Sequence, residues 1–174
     1  MRQRGRTDAA TEDAAVVLIA IDPGPVKSAM VALDEDGAPV HALYADNGEI
    51  LNLLVHQWCD LPLYIEMIAC YGMAVGAEVF ETCVWIGRFM QAYGPGLCDR
   101  VLRREVKLHI CHNSGAKDAN IRQAIIDRFG GKDRAIGKKA TPGPLYDIAG
   151  DLWAALAVGL YAFDRRAYNK AVSR

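Results

Sequence analysis

Three acidic side chains stand at the edges of apolar segments drawn from remote parts of the chain. They are Asp22 after Val16–Ile21, Glu66 after Leu61–Ile65, and Asp151 inside the apolar stretch that closes the sequence. An ionised carboxylate buried alone is very costly, so each must be paired, hydrogen-bonded or bound to a metal. For Asp22 two readings stand side by side: a cap on the following Pro-Gly-Pro turn, through neighbouring N–H groups, or a functional carboxylate. If the three converge, their mutual repulsion calls for cations, and hard oxygen donors at a partly open site suit Mg2+ or Mn2+. Two such ions about 4 Å apart activate a water and stabilise the leaving oxygen in phosphodiester cleavage.

The elements that would position these groups follow from the apolar patterning. Val16–Leu33 reads as a β-branched strand, a turn at Pro23-Gly24-Pro25, and a strand returning beside the first. Asp34–Gly37 is a tight turn into a third strand over Pro39–Tyr44, and helical spacing follows over Gly48–Trp58. A short strand ends on Glu66, and an amphipathic helix spans Ala77–Tyr93 before Gly94-Pro95-Gly96. A strand is expected over Val101–Ile110, a helix over Ala119–Phe129, a basic Gly/Pro loop over Gly131–Pro144, and a last apolar helix over Tyr146–Phe163. This order describes an α/β domain with a mixed five-stranded sheet, its first three strands an antiparallel meander, flanked by helices.

At 174 residues the chain fits one domain, expected over 15–166, with a disordered polar lead-in at 1–14 and a tail at 167–174. No apolar run reaches membrane-span length and Met1–Ala15 has no secretory pattern, so a cytoplasmic protein is expected. The five cysteines lack any C-x-x-C pair and read as reduced core thiols. A net charge of −1 gives no global pull towards a polyanion, so local basic groups must carry any nucleic-acid contact. The candidates are Arg103, Arg104, Lys107, Lys132, Arg134, Lys138 and Lys139, each of which alone reads equally as a solvated loop charge. His109 and His112 have no partner spacing for zinc and read as core or edge histidines. Glu78 and Glu81 read as exposed, and Met67, Met73 and Met90 as packing.

Ile21-Asp22-Pro23-Gly24 with Ser28, Tyr64-Ile65-Glu66, Lys117-Asp118 with Ile121-Arg122, and Asp151 ahead of Ala155-Leu156-Ala157 together resemble the RuvC-type Holliday-junction resolvases, phage-borne relatives included, of the ribonuclease H-like superfamily. The resemblance runs from Val16 to Phe163. It implies a metal-dependent endonuclease that cuts branched DNA as a homodimer in the cytoplasm of a bacterial or phage-infected cell, with Asp22, Glu66 and Asp151 as metal ligands. It also implies that Lys117 holds the scissile phosphate, although a solvated helix start is the plainer reading of Lys117-Asp118. Ser28 and Tyr71 join the DNA contacts, Tyr71 by stacking on an unpaired base or else by covering the core. The family pattern has a further aspartate directly before Ala-Leu-Ala, where this chain has Ala154. Asp147, four residues before Asp151 on the expected helix, is either a substitute ligand or a cap.

Other readings compete. A sugar-kinase or actin-like ATPase also uses an Asp-x-Gly turn as a phosphate loop, but needs two such lobes, and this sequence supplies one. A fold-retaining DNA-binding protein with weakened catalysis is favoured by Ala154 and disfavoured by the three remaining carboxylates. A ribonuclease H-type nuclease on another substrate fits the same acidic set.

Overall fold

Val16–Leu33 folds as the expected antiparallel pair, β1 (Leu18–Asp22) and β2 (Lys27–Leu33), in a computed structural model that describes residues 15–70, 72–94 and 96–172. The expected lead-in at 1–14, Tyr71 and the last two residues of the expected tail lie outside the described residues. In the turn after β2, Asp34 Oδ1 accepts the N–H groups of Asp36 at 3.0 Å and Ala38 at 2.8 Å, which folds the chain into β3 (Pro39–Asp46). Helix α1 (Asn47–Gln57) leads to β4 (Leu63–Met67), parallel to β1, and α2 (Ala77–Tyr93) leads to β5 (Cys98–Leu102), parallel to β4. The sheet order is β3-β2-β1-β4-β5, the mixed sheet with an antiparallel meander that the sequence predicts.

Three segments differ from expectation. The strand expected over Val101–Ile110 stops at Leu102, and Arg103–Cys111 forms helix α3. Glu105 Oε2 accepts the Leu102 N–H at 3.0 Å, satisfying one of the free donors at a helix start. Helix α4 (Asp118–Arg128) lies close to its expected bounds. The basic loop carries a one-turn helix α5 (Lys132–Ala135) and a small hairpin of β6 (Gly137–Lys138) and β7 (Thr141–Pro142). The last helix, α6 (Leu152–Val172), begins at Leu152 rather than Tyr146, because Pro144 and Gly150 at φ +54° keep the intervening chain in turns. It continues unbroken across residue 166.

Both sheet faces are covered, which is why β1 and β2 read as continuous apolar runs. Leu18, Ala20, Val31 and Leu33 pack against α3, α4 and α6, while Ile19, Ile21, Met30 and Ala32 pack against α1 and α2. Helix α6 crosses β1 and β2 closely at Gly159, where an added Cβ would stand 3.0 Å from Leu33 Cδ1 and 3.3 Å from Ala20 Cβ. All five cysteines are free, but only Cys98 is buried, so the expectation of core thiols holds for that residue alone. Met73 is likewise exposed rather than packed. No helix among the described residues is long and apolar enough to cross a membrane.

Candidate active site

Strand parity turns two of the three carboxylates the same way. Successive residues of a strand face opposite sides, so Asp22 follows Leu18 and Ala20 towards the α6 layer, as Glu66 follows Tyr64. The parallel register pairs Ile21 with Ile65, which sets Asp22 and Glu66 side by side at the ends of adjacent strands. Asp151 immediately precedes α6, and its carbonyl accepts the N–H groups of Ala154 at 3.0 Å and Ala155 at 3.2 Å. The three line one cavity of about 280 Å3, together with Arg103, Asp118, Ile121, Arg122, Gly150, Trp153 and Ala154.

Of the two arginines that line this cavity, Arg103 is the one bonded to its carboxylates. Its Nη1 donates to Glu66 Oε2 at 3.0 Å and its Nη2 to Asp118 Oδ1 at 2.7 Å, so one guanidinium bridges the end of β4 and the start of α4. Glu66 is sheltered, with 13% of its side chain exposed, whereas that of Asp118 is 76% exposed. Burial, then the charge of Glu66, pushes the Asp22 carboxyl up to about 7; Arg103 opposes the shift, and Asp151 and Asp118 add to it. Burial also raises the Glu66 carboxyl, against the charge and hydrogen bond of Arg103 and the charge of Lys107. Arg103 in turn is held protonated, its burial outweighed by its two carboxylate partners.

The turn that presents Asp22 is built by side chains. Ser28 Oγ accepts the Gly24 N–H at 3.2 Å and donates to Asn47 Oδ1 at 2.6 Å, while Asn47 Nδ2 donates to the Gly24 carbonyl at 3.0 Å. A Cβ on Gly24 would meet the Lys27 carbonyl at 2.3 Å, so only glycine fits. Ser28, expected among the DNA contacts, is 1% exposed, with its hydroxyl engaged in locking the turn. Asp147 lies in the turn before α6, exposed and outside the cavity, so the helical spacing that would have made it a substitute ligand does not exist. Lys117 caps α4 with its backbone N–H bonded to Asn120 Oδ1 at 2.9 Å; its side chain is exposed and it is the neighbouring Asp118 that lines the cavity.

Among the basic candidates, Arg103 enters the cavity and Lys107 is near enough to act on Glu66, whereas Arg104 is exposed on α3. Lys132, Lys138 and Lys139 are exposed on α5 and the small hairpin, outside the cavity. Arg122 lies with its guanidinium carbon 4.9 Å from the Trp153 ring centroid at the cavity rim. Asp118 and Arg122 entered the sequence reading only within the quoted motif, Asp118 as part of a solvated helix start; that Asp118 lines the cavity and Arg122 stacks on Trp153 comes from the fold.

The donor set fits a hard divalent cation in kind: all oxygen, clustered, with Asp22 destabilised as an anion. Its spacing is not that of a closed ligand group, for among the described residues no three His, Cys, Asp or Glu side chains stand ready to hold one ion. Arg103 binds Glu66 and Asp118 where carboxylates would otherwise repel.

No protein-family model matches the chain, and no curated protein matches it significantly. Solved structures do. A Thermus thermophilus RuvC structure matches with a TM-score of 0.62 at 17% identity, over 86% of this chain and 95% of that one. T. thermophilus RuvC in complex with a Holliday junction substrate matches with a TM-score of 0.60 at 15% identity, over 88% of this chain and 96% of that one. The chain therefore has the ribonuclease H-like fold of RuvC.

Proposed function

We propose that this chain is a divalent-metal-dependent nuclease that cuts branched DNA, four-way junctions foremost, with Asp22, Glu66 and Asp151 holding Mg2+ or Mn2+. The observation that carries the reading is the convergence of three carboxylates, from β1, β4 and the start of α6, on one open cavity. The likeness to a RuvC structure that contains a Holliday junction supports the substrate class.

Held there by Asp22, Glu66 and Asp151, divalent ions would supply activation of a water and stabilisation of the leaving oxygen. The chain's own groups orient the substrate. Arg122, held over Trp153 at the rim, offers planar donors to a phosphate, and Lys107 adds positive charge beside Glu66. Arg104, Lys132, Lys138 and Lys139 extend the basic surface outside the cavity and make binding salt-sensitive. A second copy packs on α2, where Phe80 and Val84, one turn apart, are 62% and 49% exposed. Two copies would give two active sites for the two strands of a junction. Incubation with synthetic four-way, three-way and linear DNA in Mg2+ or Mn2+ tests the reading: junctions are nicked first, and equal cutting of linear duplex would remove the branch preference.

A catalytically weakened DNA-binding protein is the second reading. Ala154 at the cavity wall, in place of the family aspartate, and the open spacing of the carboxylates favour it. Junction binding without metal-dependent cleavage would establish it.

A further inference from the structure

The arginine inside the acidic cavity is fixed at both ends of its fork, and its two partners differ. Glu66 is the sheltered partner and belongs to the carboxylate set proposed to take metal, whereas Asp118 is solvated and comes from α4. A guanidinium presents several donors in one rigid plane and can engage two carboxylates at once, which a lysine ammonium does with less order. A divalent cation arriving at Glu66 competes directly with Nη1 for the same oxygen, while the bond from Nη2 to Asp118 need not break.

We propose that Arg103 is a tethered counter-ion, neutralising Glu66 until a divalent cation displaces it, whereupon Asp118 retains it at the cavity with a free guanidinium edge for the substrate phosphate. This inference rests on the proposed metal site and assigns its regulation. It explains why, among the described residues, the carboxylates that share this cavity are not spaced to close on one ion: the resident cation holds Glu66 and Asp118. Metal loading and the release of a phosphate-binding arginine become one event, so the anionic substrate meets its full positive field only at a loaded site.

Mn2+ binding to the wild type, Arg103→Gln and Arg122→Gln is measured by electron paramagnetic resonance of the free ion, alongside melting temperature in Mn2+ and in chelator. Arg103→Gln is expected to bind Mn2+ about tenfold more tightly, the worth of one lost competing charged hydrogen bond. It should melt lower in chelator and gain more from Mn2+ than the wild type does. Arg122→Gln removes a charge from the same cavity without touching Glu66, and should stay near wild-type affinity. Unchanged or weaker binding by Arg103→Gln, or an equal gain in Arg122→Gln, overturns the proposal. No saturable Mn2+ uptake by the wild type would instead remove the metal reading beneath it. Should Arg103→Gln not fold, the Arg103 side-chain nitrogen resonance of the wild type is followed through a Mg2+ titration. A saturable shift supports displacement, and an unmoved resonance overturns it.

Discussion

Asp22 and Glu66 stand at the ends of neighbouring parallel strands, one residue beyond the paired Ile21 and Ile65, and both face the α6 layer. Their closeness is unfavourable to Asp22 as an anion: burial and then Glu66 push the Asp22 carboxyl from an ordinary 3.8 up to about 7. A folded-state value raised above the unfolded one means that stability is fully present in acid and is lost as the pH rises through about 7. Asp22→Asn, which removes the charge, should therefore stabilise the metal-free protein at pH 8, on the order of 2 kcal/mol or several degrees of melting temperature, and do little near pH 4. Thermal unfolding in chelator at the two pH values checks this. A variant that melts at or below the wild type at pH 8 contradicts it.

A second carboxylate has the opposite environment. Asp164 on α6 accepts both Arg128 nitrogens, at 2.7 and 2.8 Å, and lies 2.7 Å from His109 Nε2, so it ties α3, α4 and α6 together. Burial tends to raise its carboxyl, but the hydrogen bonds and charges of Arg128 and His109 outweigh burial and hold it below the ordinary range. The sign reverses accordingly: this stabilisation is present above the unfolded value and is lost as the pH falls through the folded one. Asp164→Asn should cost about 1–2 kcal/mol at pH 7, and the deficit should shrink in acid. Urea unfolding at pH 7 and near pH 3 gives the comparison, and a deficit constant across that range would refute the assignment.

The exposed apolar pair on α2 bears on assembly. Thr82, Ile86, Phe89 and Tyr93 are buried, while Phe80 and Val84 are open to solvent. Phe80→Glu should leave the fold intact and shift the protein from dimer to monomer in light scattering coupled to gel filtration. A wild type that is monomeric at high concentration, or a variant that remains dimeric, would place the second copy elsewhere or remove it.

Much of this arrangement was readable from residue order. The unbroken apolar runs around Pro23-Gly24-Pro25 declared two buried strands with Asp22 at the junction, and the recurrence of Val79, Phe80, Cys83, Val84, Ile86, Phe89 and Met90 ahead of Gly94-Pro95-Gly96 gave α2 its bounds, although Phe80 and Val84 prove exposed. The segment after Val101 misled because Val106, Leu108 and Ile110 alternate like a strand, although Leu108 proves exposed and only Val106 of α3 is buried. Glu105, three residues past Leu102, was the overlooked helix-start signal. Leu145 and Ile148 are buried and mimic a helical face, yet they belong to turns, and Pro144 and Gly150 mark the break. The role of Arg103 was out of reach because its partners are 37 and 15 residues away, a pairing that only the sheet order and the packing of α4 create.

The most direct test is cleavage of a labelled four-way junction in Mg2+ by the wild type and Asp22→Asn, with junction binding measured on the same preparations in Ca2+. The wild type is expected to nick the junction, and the variant to bind with similar affinity while cutting at least a hundredfold more slowly, about 2.7 kcal/mol of lost transition-state stabilisation. Equal cutting by the variant would contradict the account at its centre.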